Sequence, residues 1–419
     1  YVVALGIDST DDDNYKITIQ YANTTQISGG ASESGGKAGS EIVDNVTIEA
    51  PNIYAGVGLA NNIVSKSFSM SHAKLIVFSK EIAEKGVKDM IETLVRSEEI
   101  RPDVFIAVAN TTANDYLTSV NPEMEVNPAQ YYQLIYQKNQ LVGIPDGQLR
   151  EFFTGLYTDN YDSILPVAGV IEGSGGNSQN DDKGQSKDGQ NEGSEGSSES
   201  LDSFESKSSN EKDENEKEKD AEKNTSKYEY DIKNYIGGET TIEKKNKAEA
   251  IGAAVFEKDK MVGELGEVET EICKMLKGDY TYSYLTYYNN DTPDIPITVK
   301  TTQQKKPKYK IDTDKKTVDI ELYIESDLYS LPADYNVENK IEDFERDVAN
   351  YTSSACTEFI NNFTKKYNSD ILKLNEKVKY KFLTNNQYNW FKKNVGWSEY
   401  KFSVCTNFKV RRTGLIVRE

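Results

Sequence analysis

The chain has 419 residues, with 69 acidic against 49 basic side chains and a net charge of −20. That balance argues against a nucleic-acid partner, because phosphate-backbone binding rests on clustered Lys and Arg. No run of about 18 apolar residues occurs, so no helical membrane span is expected, and the modest 37% hydrophobic content implies that part of the chain lies outside any core.

"YVVALGI" and "YKITIQYA" flank the Asp-rich turn "DSTDDDN", a hairpin signature. A chain that begins directly on a strand reads as a mature or trimmed terminus, with attachment upstream of Tyr1 left open. After a Gly/Ser cluster, "EIVDNVTIEA" is a further strand and "YAGVGLANNIVSKS" a modest helix. "AKLIVF" is a short apolar run typical of a buried strand, and Ser79 caps the helix that follows, which Gly86 breaks. Val87, Met90, Ile91 and Leu94 then recur at helical spacing before the strand "DVFIAVAN". Strand, helix and strand in that order suggest a βαβ-like unit with mixed pairing. Asn127-Pro128 starts the helix "AQYYQLIYQKNQ", and Asp146 caps "GQLREFFTGLY", whose Leu149, Phe152, Phe153 and Leu156 share one face.

Residues 172–227 carry 16 acidic and 8 basic side chains with only Leu201, Phe204 and Ala221 apolar, a net of −8 that leaves −12 for the rest. Such a segment buries too little surface to offset chain entropy, so a disordered linker or loop insertion is expected over 172–231. Beyond it, "AIGAAVF" and "MVGEL" form a hairpin about "EKDK", and a short helix runs through Cys273. Four strand candidates follow, "YTYSYLTYY", "ITVKTTQ", "PKYKIDT" and "KTVDIELYI". A helix of roughly nine turns is predicted from Val337 to Tyr367, with Ile341, Phe344, Val348, Tyr351, Ala355, Phe359 and Phe363 on its apolar face. "WSEYKFSVCTNFKVRRTGLIV" closes the chain as a strand. The expected architecture is α+β and multi-domain, with mixed and antiparallel sheets flanked by helices. Residues 1–171 form an N-terminal mixed region, 232–278 a connecting hairpin and helix that can complete it, and 279–419 an antiparallel sheet packed by one long helix.

Candidate chemistry is sparse. His72 is the only histidine, and neither a G-x-S-x-G elbow nor a second His accompanies it, so a structural role outweighs a hydrolase that would use it. Cys273, Cys356 and Cys405 are widely spaced with no C-x-x-C, which argues against a disulfide framework or structural zinc. "GGKAGS" lacks the first Gly and the Ser/Thr of a phosphate loop. Asp8, Asp11, Asp12 and Asp13 lack the Gly and Glu positions of a calcium loop. The tyrosines of "YTYSYLTYY" favour sheet packing, with an interaction surface as the second option. No catalytic, cofactor or metal set is read from the residues, and the residues alone suggest a multi-domain binding protein.

Four landmarks in order carry a resemblance: "YVVALGID", "SHAKLIVFSKEIAEKGVKDMIETLVRSEEIRPDVFIAVA" with His72, Ala83, Gly86, Arg96, Glu99 and Arg101, "GAAVFEKDKMVGEL", and "DILKLN" followed by "WFKKNVGWSEYKFSVCTNFKVRRTG" with Trp390 and Trp397. On these the chain resembles the Ger(x)C family, the C subunits of nutrient germinant receptors of bacterial endospores. Two departures stand out. Family members often carry an "ilgfG"-like turn after the long helix, whereas "ILKLNEKVKYKF" lacks the Gly, and the acidic insertion is longer than expected. The resemblance implies a non-catalytic lipoprotein on the outer face of the spore inner membrane. It implies a lipidated Cys upstream of Tyr1, and assembly with two integral membrane subunits into a receptor whose nutrient binding starts germination. Arg411 and Arg412 are the candidate partner contacts; the alternative is a subunit that binds the nutrient itself.

Overall fold

The computed structural model describes residues 1–12, 14–22, 43–64, 67–121, 128–137, 143–158, 160–171, 234–240, 246–288, 296–330, 340–367 and 369–413. The expected linker, the cap at Asn127 and the start of the long helix before residue 340 lie outside these. The described residues before and after the insertion belong to one compact unit.

The first sheet has eight strands: β1 (Val2–Ser9), β2 (Tyr15–Ala22), β3 (Val43–Ala50), β4 (Leu75–Ser79), β5 (Phe105–Ala109), β6 (Ile164–Val170), β7 (Ala248–Glu257) and β8 (Lys260–Leu265). Their spatial order is β3-β2-β1-β4-β5-β6-β7-β8. β1, β4, β5 and β6 run parallel, and an antiparallel pair of strands closes each edge. The parallel strands are apolar on both faces because helices cover both. Leu5, Ile7, Ile76 and Phe78 point to one side, against α1 (Ile53–Asn61), α2 (Lys80–Lys85), α3 (Lys88–Val95) and α6 (Leu149–Thr158). Val3, Leu75, Val77 and Ala107 point to the other, against α4 (Ala113–Ser119) and α5 (Pro128–Gln137).

Ser79 accepts from the Ile82 N–H as the predicted cap of α2. Gly86 ends that helix at φ +122°, where an added Cβ would stand 2.7 Å from Asp259 Oδ2. One boundary differs. The sequence places the cap at Asp146, but α6 begins at Leu149, because Gln148 is still extended and bridges Phe105.

The second sheet contains β9 (Tyr282–Tyr288), β10 (Pro296–Thr302), β11 (Lys308–Asp312), β12 (Thr317–Ser330) and β13 (Lys401–Arg412). β11 and β10 share one edge of the long β12 in antiparallel register, β9 pairs with β10, and β13 joins the other edge of β12 in parallel. The parallel pair follows from the connection: α8 (Ile341–Lys366) and the helices after it carry the chain back before β13 starts.

α8 has 26 residues, about seven turns, against the nine predicted. Acidic residues occupy its first turn and lysines its last, the sense that the helix dipole favours. Of the predicted face, Phe344, Val348, Tyr351, Phe359 and Phe363 are buried, whereas Ile341 and Ala355 are only partly so. α7 (Glu267–Lys277) lies between the sheets, and one core joins Ala253, Val255 and Leu265 of the first to Ile320, Phe359 and Phe402 around the second.

Candidate functional site

The densest polar arrangement lies where the loop before β6 meets the turn after α8. Asp162 accepts from the backbone N–H groups of Lys258 and Asp370, each at 2.8 Å, and its own N–H donates to the Asp370 carbonyl at 3.2 Å. The buried Asp370 carboxyl accepts from Leu374 N and Asn375 N, both at 2.8 Å, capping α9 (Leu374–Val378). Burial pushes this carboxyl up to about 7, against the lowering effect of its two N–H donors.

Lys373, in the "DILKLN" turn after α8, has φ +56°. A Lys therefore occupies left-handed backbone that glycine takes most easily. Its ammonium is 3.2 Å from Glu151 Oε2 and 4.1 Å from the centre of the Tyr161 ring, contacts that hold it there. α10 (Asn385–Asn394), capped by Thr384, packs onto the same junction: Lys392 Nζ donates to Asn160 Oδ1 at 3.0 Å.

These elements enclose a cavity of about 320 Å³ lined by Tyr161, Asp162, Asn375, Lys392, Lys393 and Trp397 among others. Trp397 Nε1 and Asn375 Oδ1 are buried and have no hydrogen-bond partner among the described residues. Each such group costs about 1–3 kcal/mol while unmet. The wall is polar, with Asp162, Lys392 and Lys393 among its residues, a lining suited to a small polar molecule.

The residues singled out from sequence are placed elsewhere. His72 is exposed in the turn before β4, its ring 5.1 Å from that of Tyr1. Ser69 and Ser71 bond to each other at 2.9 Å. Arg411 pairs with Glu325 across to β12, and Arg412 is exposed at the end of β13. The structure does not bring His72 together with these two arginines. Asp8 is buried and accepts from the Ala113 and Asn114 N–H groups, 2.6 and 3.1 Å, at the start of α4, which explains the acidic residue without a cation.

The landmark residues also hold the scaffold. Glu99 accepts from Met70 N at 2.6 Å, Arg96 pairs with Glu92, and Arg101 with Asp103. Arg96 and Glu99 line an open groove of about 640 Å³ beside Tyr54 and Phe68. Tyr287 is buried against Phe344 and Tyr351, whereas Tyr284 is exposed, so the tyrosine-rich strand divides between packing and surface. Sequence reasoning missed the Asp162–Asp370 junction. Its members lie 208 positions apart, and only the quoted "DILKLN" pointed towards it.

Among the described residues, this junction is built of buried backbone and carboxylate hydrogen bonds that tie the two sheets together. Two family models match the chain: "Spore germination protein N-terminal domain" over residues 1–170, and "Spore germination B3/ GerAC like, C-terminal" over 251–414. The chain belongs to the Ger(x)C family, the family of germinant-receptor C subunits. It is 27% identical to spore germination protein KC of Bacillus subtilis over 147 residues, 32% of this chain and 36% of that one. It is 27% identical to spore germination protein GerQC of Bacillus cereus over 104 residues, 25% of this chain and 29% of that one. The aligned segments thus span about a third of these relatives' length. The crystal structure of the GerBC protein superposes with a TM-score of 0.52, covering 97% of this chain and 96% of that one at 15% identity, a likeness of fold.

Proposed function

We propose that this protein is a non-catalytic, lipid-anchored subunit of a nutrient germinant receptor, assembled with two integral membrane subunits on the outer face of the spore inner membrane. The observation that supports this reading is the presence of both family halves, in order, on one chain across both sheets. The exposed setting of His72, without an orienting carboxylate bonded to it among the described residues, gives a hydrolase reading nothing to build on. Spores lacking the gene test the proposal. They are expected to lose dipicolinate release to the receptor's nutrient, and the tagged protein in complemented spores to co-purify with multi-pass membrane proteins. A normal response, or recovery of the protein alone, overturns it.

A second reading, direct binding of the nutrient, is favoured by the cavity lined by Tyr161, Asp162, Lys392 and Lys393. Calorimetry of the purified chain with amino acids separates the two. Saturable binding that Lys392→Gln weakens supports the pocket, and no heat with any amino acid leaves the subunit in a supporting role.

A further inference from the structure

Residues 373–393, "KLNEKVKYKFLTNNQYNWFKK", hold six Lys, no Arg and the single acid Glu376, a local excess of +5 in a chain of −20. In the same stretch three large apolar side chains point away from the core: Leu383 is 94% exposed, Tyr380 78% and Trp390 68%. Below them Tyr388 is buried and Phe382 stacks on Phe391 at 4.9 Å, so the segment is anchored while its outer side is bare. Lys379, Lys381, Lys392 and Lys393 make no ion pair among the described residues. Lys381 donates to the Ile311 carbonyl near the Asp312 carboxylate, whereas Lys392 donates to Asn160 and Lys379 sits over the Tyr388 ring at 5.7 Å, neutral partners that leave the charge of these two in place.

The topology sets where this patch lies. β1, β4, β5 and β6 are parallel and begin at one end of the first sheet. Tyr1 stands at that end, and so does Asn160, four residues before β6, which Lys392 and Tyr388 hold. β1 and β6 are three strand spacings apart, roughly 14 Å. The end of α1 lies there too, because Asn61 Oδ1 accepts from Phe68 N at 2.7 Å and Ser69 O accepts from Val2 N at 2.9 Å. It exposes Leu59 (48%) and Ile63 (70%). Bare apolar tips and free lysines thus share one end of the molecule with the start of the chain.

We infer that this end docks on an anionic phospholipid surface, with Leu383, Trp390 and Tyr380 entering the headgroup layer and the lysines facing lipid phosphates. Trp, Tyr and Leu beside Lys is the composition of interfacial segments. Protein interfaces instead enrich Arg and deplete Lys, so Lys379, Lys381, Lys392 and Lys393, with no arginine beside them in the stretch, favour lipid over a protein partner. The inference goes beyond the receptor reading and does not depend on a lipid anchor.

The test uses the unlipidated chain and sedimentation with vesicles of phosphatidylglycerol and phosphatidylcholine in equal parts, or of phosphatidylcholine alone. The expected result is binding to the anionic vesicles, weakened by salt, and at least about tenfold weaker binding to neutral ones. Lys379→Gln with Lys393→Gln is expected to weaken it on the order of tenfold or more. Leu383→Ser with Trp390→Ser is expected to do the same with unchanged circular dichroism, because both side chains are exposed. Absence of binding to anionic vesicles overturns the inference, as does binding that both double variants retain. Either failure leaves the spore-germination test of the receptor reading untouched.

Discussion

Asp370 is the side chain on which the two halves of the molecule converge, because its carboxyl caps α9 while its backbone N–H is held by Asp162. A carboxyl titrates near ~3.9 in an unfolded chain, whereas burial takes this one to about 7. Between those values the folded state holds a proton that the unfolded state has released, so stability falls as pH rises through the window and levels off above it. Asp370→Asn removes that titration. In urea denaturation near pH ~4.5 and ~7.5, the native protein is expected to lose up to a few kcal/mol relative to the variant as pH rises. Equal slopes for the two would show that the carboxyl is not protonated in the fold. Glu271, also raised by burial to about 7, contributes to both proteins alike and cancels in the comparison. Nothing local in "DILKLN" reveals a perturbed carboxyl, since the burial comes from chain far away.

At the scale of elements, α8 was legible because its period matches its burial. Phe344 is fully buried, with its ring 6.0 Å from that of Tyr287 and 6.5 Å from that of Phe408. It therefore ties the helix to both outer strands of the second sheet. Phe344→Ala is expected to cost about 3–5 kcal/mol, read as a lowered thermal midpoint. A loss below about 1 kcal/mol would mean that the helix packs on the sheet without this ring. The apolar runs "LIVF" and "FIAVA" were equally legible as strands. Their parallel pairing was suggested by the intervening helices, but the parallel entry of β13 beside β12 was not. That partner is chosen by where α8 and α10 return the chain, which no window of sequence contains.

For the whole molecule, the eight-stranded sheet takes β1 to β6 from before the acidic insertion and β7 and β8 from after it. Ile171 N donates to Lys247 O at 2.9 Å, so the chain leaves and rejoins the sheet at adjacent points. Replacing residues 174–231 by a short Gly/Ser linker is accordingly expected to leave the thermal midpoint within a few degrees of the native value. A chain ending at residue 171 would expose the bare edge of β6 and is expected to aggregate. Circular dichroism and size-exclusion chromatography read both outcomes. A soluble, folded truncation would show that the returning hairpin is dispensable.

Local composition and period by themselves determined most of the strands, though not β6, together with the long helix, the Ser79 cap and the Gly86 stop. Each depends on neighbours within a few positions, where propensity and burial pattern coincide. Only the tertiary structure decided that Asp162 meets Asp370, that Lys373 holds a left-handed turn through Glu151 and Tyr161, and that Tyr1 shares one end of the sheet with Trp390 and Leu383. Those arrangements come from strand order and chain return, which bring together residues hundreds of positions apart and leave no periodic trace along the chain.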